Sequence, residues 1–110
     1  MIDNKQLEVL KAAIEAYGKE HQVDRAIEEM AELTKALCKE RRAELTDDEK
    51  TDAVGNIIEE TADVLITLYQ VIMLFEAEQK IQPEVDYKIS RLKRKLEKRK
   101  GATVATMEGG

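Results

Sequence analysis

Cysteine, proline and histidine each occur once in this chain of 110 residues. A single cysteine, Cys38, excludes an internal disulfide framework and fits a reducing compartment. On a helix Cys38 shares a side with Ile27, Ala31 and Thr34, at the edge of an apolar face, so a packed thiol is expected rather than a nucleophile. His21 has no second histidine with which to share a metal, and no Glu-x-x-His motif occurs, which speaks against a di-iron carboxylate bundle. The lack of a glycine-rich phosphate loop excludes a P-loop enzyme. No basic, apolar leader precedes a small-residue cleavage site. The longest nearly apolar run, residues 61–75, contains Asp63 and Gln70 and is too short to span a bilayer. These absences predict a soluble, cytoplasmic protein with no membrane partner.

Hydrophobic residues make up 43% of the chain, enough for a core. At this length one domain is the most the chain can build, and so short a chain often completes its burial by oligomerising. The net charge of −5 argues against a protein that coats nucleic acid, so no nucleic-acid partner is expected. That total hides an asymmetry. Residues 88–100 hold eight basic side chains and one acid, Glu97, which makes the segment +7 and leaves −12 on the rest. An acidic body with one basic helix suits a site for a metal and a phosphate, and equally describes a solvated charged helix.

The pattern is helical throughout, without strand alternation, internal repeat or low-complexity tract. Asp3 and Gln6 form a capping-box pair ahead of Leu7, Leu10, Ile14 and Tyr17, and Gly18 suits the stop. A second helix is expected from about Asp24 towards Arg42, with Ala26, Ile27, Met30, Leu33 and Leu37 as its apolar stripe. Thr46-x-x-Glu49 is another capping-box pattern, which opens the third helix early or forms a short turn before it. The third helix is expected from about Asp52 to Lys80. Pro83 fits the first turn of a fourth, carrying Val85, Ile89, Leu92 and Leu96 and ending near Gly101. The fold expected is all-α: a four-helix bundle over residues 1–101, with residues 102–110 as a loose tail.

Helical spacing puts Val54, Ile57, Ile58, Thr61, Val64, Leu65, Leu68, Val71, Ile72 and Phe75 on one broad face of the third helix. A narrower polar strip holds Asn56, Glu59, Glu60, Asp63, Thr67 and Gln70. A helix apolar over most of its circumference is buried on several sides, and in so small a bundle that implies a partner subunit. Glu60 and Asp63 lie three apart on one face, within reach of a common ion. Glu29 and Glu32 repeat the spacing on the second helix, and antiparallel packing would let the two pairs face each other. Four converging carboxylates repel unless cations sit between them. Oxygen ligands alone select a hard ion, Mg²⁺ or Mn²⁺ as its substitute. The plainer alternative makes Glu29 and Glu32 surface partners of Arg25 and Lys35. Asp63 has no cation within a helical turn, which favours the metal.

The string Ala26-Ile27-Glu28-Glu29-Met30-Ala31-Glu32-Leu33, followed by Ile58-Glu59-Glu60-Thr61-Ala62-Asp63-Val64-Leu65, resembles the all-α nucleotide pyrophosphohydrolases of the MazG type. The likeness covers residues 22–99. It implies that Glu29, Glu32, Glu60 and Asp63 bind Mg²⁺, and that a (deoxy)nucleoside triphosphate is cleaved to a monophosphate and pyrophosphate, clearing surplus or unwanted nucleotides. It also implies a homo-oligomer, either dimer or tetramer. Lys88 and Arg91 match a lysine and an arginine that such proteins carry early in the last helix, and Lys95 follows one turn on. In the chemistry this suggests, water attacks the α-phosphorus and Glu29 or Glu28 accepts its proton. Lys88 and Arg91 hold the outer phosphates. Gln22 and His21, just before the second helix, are candidates for contacts to the base. A phosphoribosyl-ATP-type substrate is the chemical alternative. A helical oligomerisation or adaptor module is the non-enzymatic one.

Overall fold

Local hydrogen bonds set the ends of the first and third helices and the starts of all four. The structure, a computed structural model, describes residues 1–109, with side chains as far as Gly101. Helix α1 (Asn4–Tyr17) opens on the expected capping box. Asp3 Oδ1 accepts from the Gln6 N–H at 2.8 Å, and Gln6 Oε1 accepts from the Asp3 N–H at 3.0 Å. Gly18 ends it at φ 89°, a region costly for residues with a Cβ, and donates its N–H to the Ile14 carbonyl at 2.8 Å. The same glycine opens α2 (Lys19–Glu40), its carbonyl accepting from the Gln22 N–H at 3.2 Å. No linker is needed, so α2 starts at Lys19 and not near Asp24.

Helix α3 (Asp47–Leu74) takes the earlier of its two expected starts. Thr46 Oγ1 accepts from the Glu49 N–H at 3.2 Å, and Asp47, Asp48 and Glu49 place negative charge on the positive end of the helix dipole. It also ends early. Glu76 has φ 50°, and its N–H donates to the Met73 carbonyl at 3.2 Å, which closes the last turn. Helix α4 (Glu78–Gly109) follows at once, the Ala77 carbonyl accepting from the Lys80 and Ile81 N–H groups. Pro83 therefore lies inside α4, past its first turn, and deprives the Gln79 carbonyl of a helical partner. The helix also runs on beyond Gly101. The tail assignment concerns residues whose side chains, and at Gly110 the backbone too, lie outside the described residues.

Four helices and, among the described residues, no strand make the fold all-α. The chain divides into two units, Met1–Glu76 and Ala77–Gly110. In the first, α2 and α3 form an antiparallel hairpin, since Glu40 meets Lys50 near the loop and Glu29 meets Glu60 further along. Ala26, Ala36 and Ala53 are buried along the seam, and such small side chains let the backbones approach closely. Helix α1 is tied to α3 where the Gln70 amide donates to the Leu10 carbonyl at 3.3 Å. In the second unit, α4 exposes Val85, Ile89, Leu92 and Leu96.

The orientation of α3 is the surprise. Its inward line holds Ala53, Ile57, Glu60, Val64, Thr67 and Gln70, so much of the expected polar strip faces α2 and α1. Thr67, 1% exposed, satisfies its hydroxyl by donating to the Val64 carbonyl at 2.9 Å. Meanwhile Val54, Ile58, Leu68 and Phe75 of the apolar face are exposed, as is Ile66 beside it. Helix α2 is turned likewise: its buried line runs through Gln22, Ala26 and Ala36, while Ile27, Met30 and Leu37 of the expected stripe are exposed. An open apolar groove of about 610 Å³ lies between α1 and α3, lined by Val9, Leu10, Ile58, Leu65 and Ile66 among others.

Candidate metal centre

The seam of the α2–α3 hairpin carries Glu29 and Glu60 inward from facing helices, with Asp63 beside them. Each offers a carboxylate oxygen, and these oxygens all lie within 4.8 Å of one another; all three residues are half-buried. An ion whose oxygen ligands stand at about 2.1 Å would draw such a set only slightly closer.

The electrostatics of Glu60 set it apart from an ordinary surface acid. Its Oε2 is buried and has no hydrogen-bond partner. Burial pushes its carboxyl above the usual carboxylate range, and the nearby charges of Glu29, Asp63, Glu32 and Glu59 push it further the same way. The cation beside the cluster is Arg25, whose Nη2 lies 3.7 Å from Glu29 Oε1 with half of its own side chain exposed. So loose a pair leaves the three carboxylates under-compensated. Oxygen donors, crowded negative charge and an unpartnered buried oxygen together suit a hard divalent cation.

The remaining expected site residues lie elsewhere. Glu32 is exposed and pairs with Lys35 at 3.8 Å, the plainer of its two expected states. Glu28 is exposed on α2, outside the converging set. Gln22 is buried, 3% exposed, two turns before Glu29 on the same inward line. His21 is exposed and stacks on Tyr17, with ring centres 5.2 Å apart. Lys88, Arg91 and Lys95 are exposed on α4, in the second unit, where the Arg91 guanidinium stands 5.9 Å from the Tyr87 ring.

One feature escaped the sequence pattern. A concavity of about 440 Å³ opens between α2 and α3, lined among others by Glu32, Lys35, Cys38, Lys39, Arg42 and Asn56. Its signal was the pair of basic residues at 35 and 39, one turn apart on α2, with Arg42 following just past the end of the helix. Cys38 is exposed there and is not a packed thiol, because the inward line of α2 passes through Ala36.

No family model, curated protein or solved structure matches the chain. Among the described residues, no helix is long and apolar enough to cross a membrane.

Proposed function

We propose that the chain is a divalent-cation-dependent hydrolase that cleaves (deoxy)nucleoside triphosphates to a monophosphate and pyrophosphate, as its resemblance to MazG-type enzymes implies. One observation carries the reading. Three carboxylates from two helices converge, and the most central, Glu60, keeps a buried oxygen without a partner.

Mg²⁺ or Mn²⁺ fits this donor set, held by Glu29, Glu60 and Asp63, with Glu32 as a fourth ligand if it leaves Lys35. Such an ion neutralises phosphate oxygens and makes water a competent nucleophile at neutral pH. The chain's own groups do the rest. Glu29, or Glu28 beside it, accepts the proton of the attacking water. For Lys88, Arg91 and Lys95 the same resemblance implies contacts to phosphate oxygens. Gln22 and His21 stand towards the nucleoside.

The reading includes a homo-oligomer. Val54, Ile58, Ile66 and Leu68 on α3, with Ile27 and Leu37 on α2, are exposed apolar side chains on the two helices of the hairpin. A second copy of the chain covers them, completing the helical bundle. Ile58→Glu is expected to lower the solution mass by splitting the assembly, and a wild-type chain that is a stable monomer would remove this part of the proposal.

Pyrophosphate release from a panel of dNTPs and phosphoribosyl-ATP, with Mg²⁺, tests the activity. Cleavage that is lost in Asp63→Asn supports it. No cleavage of any triphosphate, with metal binding intact in Asp63→Asn, sinks it. The competing adaptor reading draws on the exposed apolar stripe and basic charge of α4. It requires salt-sensitive binding to a polyanion that survives both chelation and Asp63→Asn.

A further inference from the structure

We infer that the concavity lined by Lys35, Lys39 and Arg42 is a subsite for the outer phosphates of the triphosphate, an assignment that rests on the function proposed above. It lies in the same unit as the acidic cluster and begins where the cluster ends. Glu32, on its wall, is one turn beyond Glu29 on α2, and Asn56 is one turn before Glu60 on α3. Lys35 and Lys39 stand about 6 Å apart along the last turns of α2, and Arg42 follows just past its end, so three cations line the way from the cluster to the α2–α3 loop.

Charge supports the assignment. Among the described residues, Lys39 and Arg42 have no ion-pair partner, although the chain is acidic overall. Lys35 has one, the exposed Glu32, at 3.8 Å. A triphosphate keeps negative charge even after one divalent cation has bound, and cations next to the cation site neutralise what is left. Asn56 adds an amide that can donate to a phosphate oxygen. The direction of the substrate follows. Phosphates run from the acidic cluster towards the α2–α3 loop, and the nucleoside is left at the α1 end of α2, where Tyr17 stacks on His21.

Cys38 supplies a test, because it is the one cysteine of the chain, is exposed, and lines the concavity. Its alkylation by N-ethylmaleimide, followed by mass spectrometry on the full chain at constant ionic strength, reports occupancy without any catalysis. Inorganic tripolyphosphate, added without metal, is expected to slow alkylation severalfold, and a nucleoside monophosphate to have little effect. Lys39→Ala near the end of α2 and Arg42→Ala just past it, both exposed changes that leave the fold intact, should each weaken protection about tenfold in tripolyphosphate concentration. Three results would overturn the subsite: no protection, undiminished protection in both the Lys39 and Arg42 variants, or equal protection by the monophosphate. The metal-free measurement does not depend on Glu29, Glu60 or Asp63. Failure here therefore leaves pyrophosphate release to decide the underlying function on its own.

Discussion

The two acidic motifs share a spacing and differ in fate. In Glu60-x-x-Asp63 both side chains are half-buried in the cluster, whereas in Glu29-x-x-Glu32 only the first is, and Glu32 sits exposed against Lys35. Antiparallel packing explains the difference. Glu29 and Glu60 stand level across the seam, and three residues onward is about 4.5 Å along a helix axis. On α3 that step leads away from the connecting loop, and on α2 it leads towards it. Asp63 and Glu32 therefore lie on opposite sides of the Glu29–Glu60 level, about 9 Å apart along the axes. An ion held by Glu29, Glu60 and Asp63 would leave Glu32 at the border of the basic concavity.

The largest expected effect breaks or keeps that asymmetry. Glu60→Gln and Asp63→Asn should each lower pyrophosphate release by about 10²–10³-fold, the scale on which preorganised electrostatic groups act on a charged transition state. Glu32→Gln should lower it by about tenfold, as a group at the edge of a metal site does. Equal losses at Glu32 and Asp63 would mean that the two motifs act symmetrically, with Glu32 drawn off Lys35.

What the sequence made legible was local. Both capping boxes and the Gly18 stop were readable because each depends on residues within a turn of one another. The acidic set was readable because a carboxylate isolated in an apolar run, Asp63, has few inexpensive explanations. Rotation of the helices about their axes was not readable. Amphipathic spacing identified the apolar faces of α2 and α3 but not what covers them. Within this chain the seam is made by alanines, by Glu29, Glu60 and Thr67, and by only Ile57 and Val64 of the apolar face of α3. The end of α3 was missed for a related reason: Glu76 takes a left-handed φ without being glycine or asparagine, so no residue type announced the turn.

A middle-sized effect tests the seam itself, on which the meeting of Glu29 and Glu60 depends. Ala36 is 3% exposed on the inward line, while the next residue, Leu37, is 46% exposed on the outer stripe. Ala36→Leu forces extra volume between the helices and should destabilise the chain by about 1–3 kcal/mol in denaturant unfolding. Leu37→Ala removes surface volume and should stay within about 0.5 kcal/mol, measured where subunits are dissociated. The reverse ranking would put the apolar stripe, and not the alanine line, at the α2–α3 interface.

The smallest effect separates the motifs without any metal or substrate. Glu60 is pushed above its usual range by burial first and then by Glu29, Asp63, Glu32 and Glu59. A carboxyl raised in the folded state binds more protons there than in the unfolded chain. Its contribution to stability therefore falls as pH rises from the ordinary carboxylate range through the raised value. In the presence of chelator, wild type should lose stability relative to Glu60→Gln across that window and match its slope below it. Glu32→Gln should leave most of this slope in place, because Glu32 ranks behind burial, Glu29 and Asp63 among its causes. Adding Mg²⁺ should reverse the trend, since the ion binds the deprotonated carboxylates and so stabilises the fold more at higher pH. Parallel profiles for wild type and Glu60→Gln would mean that the buried oxygen of Glu60 reaches solvent in the metal-free chain. The asymmetry between the motifs would then be one of position along the helices alone.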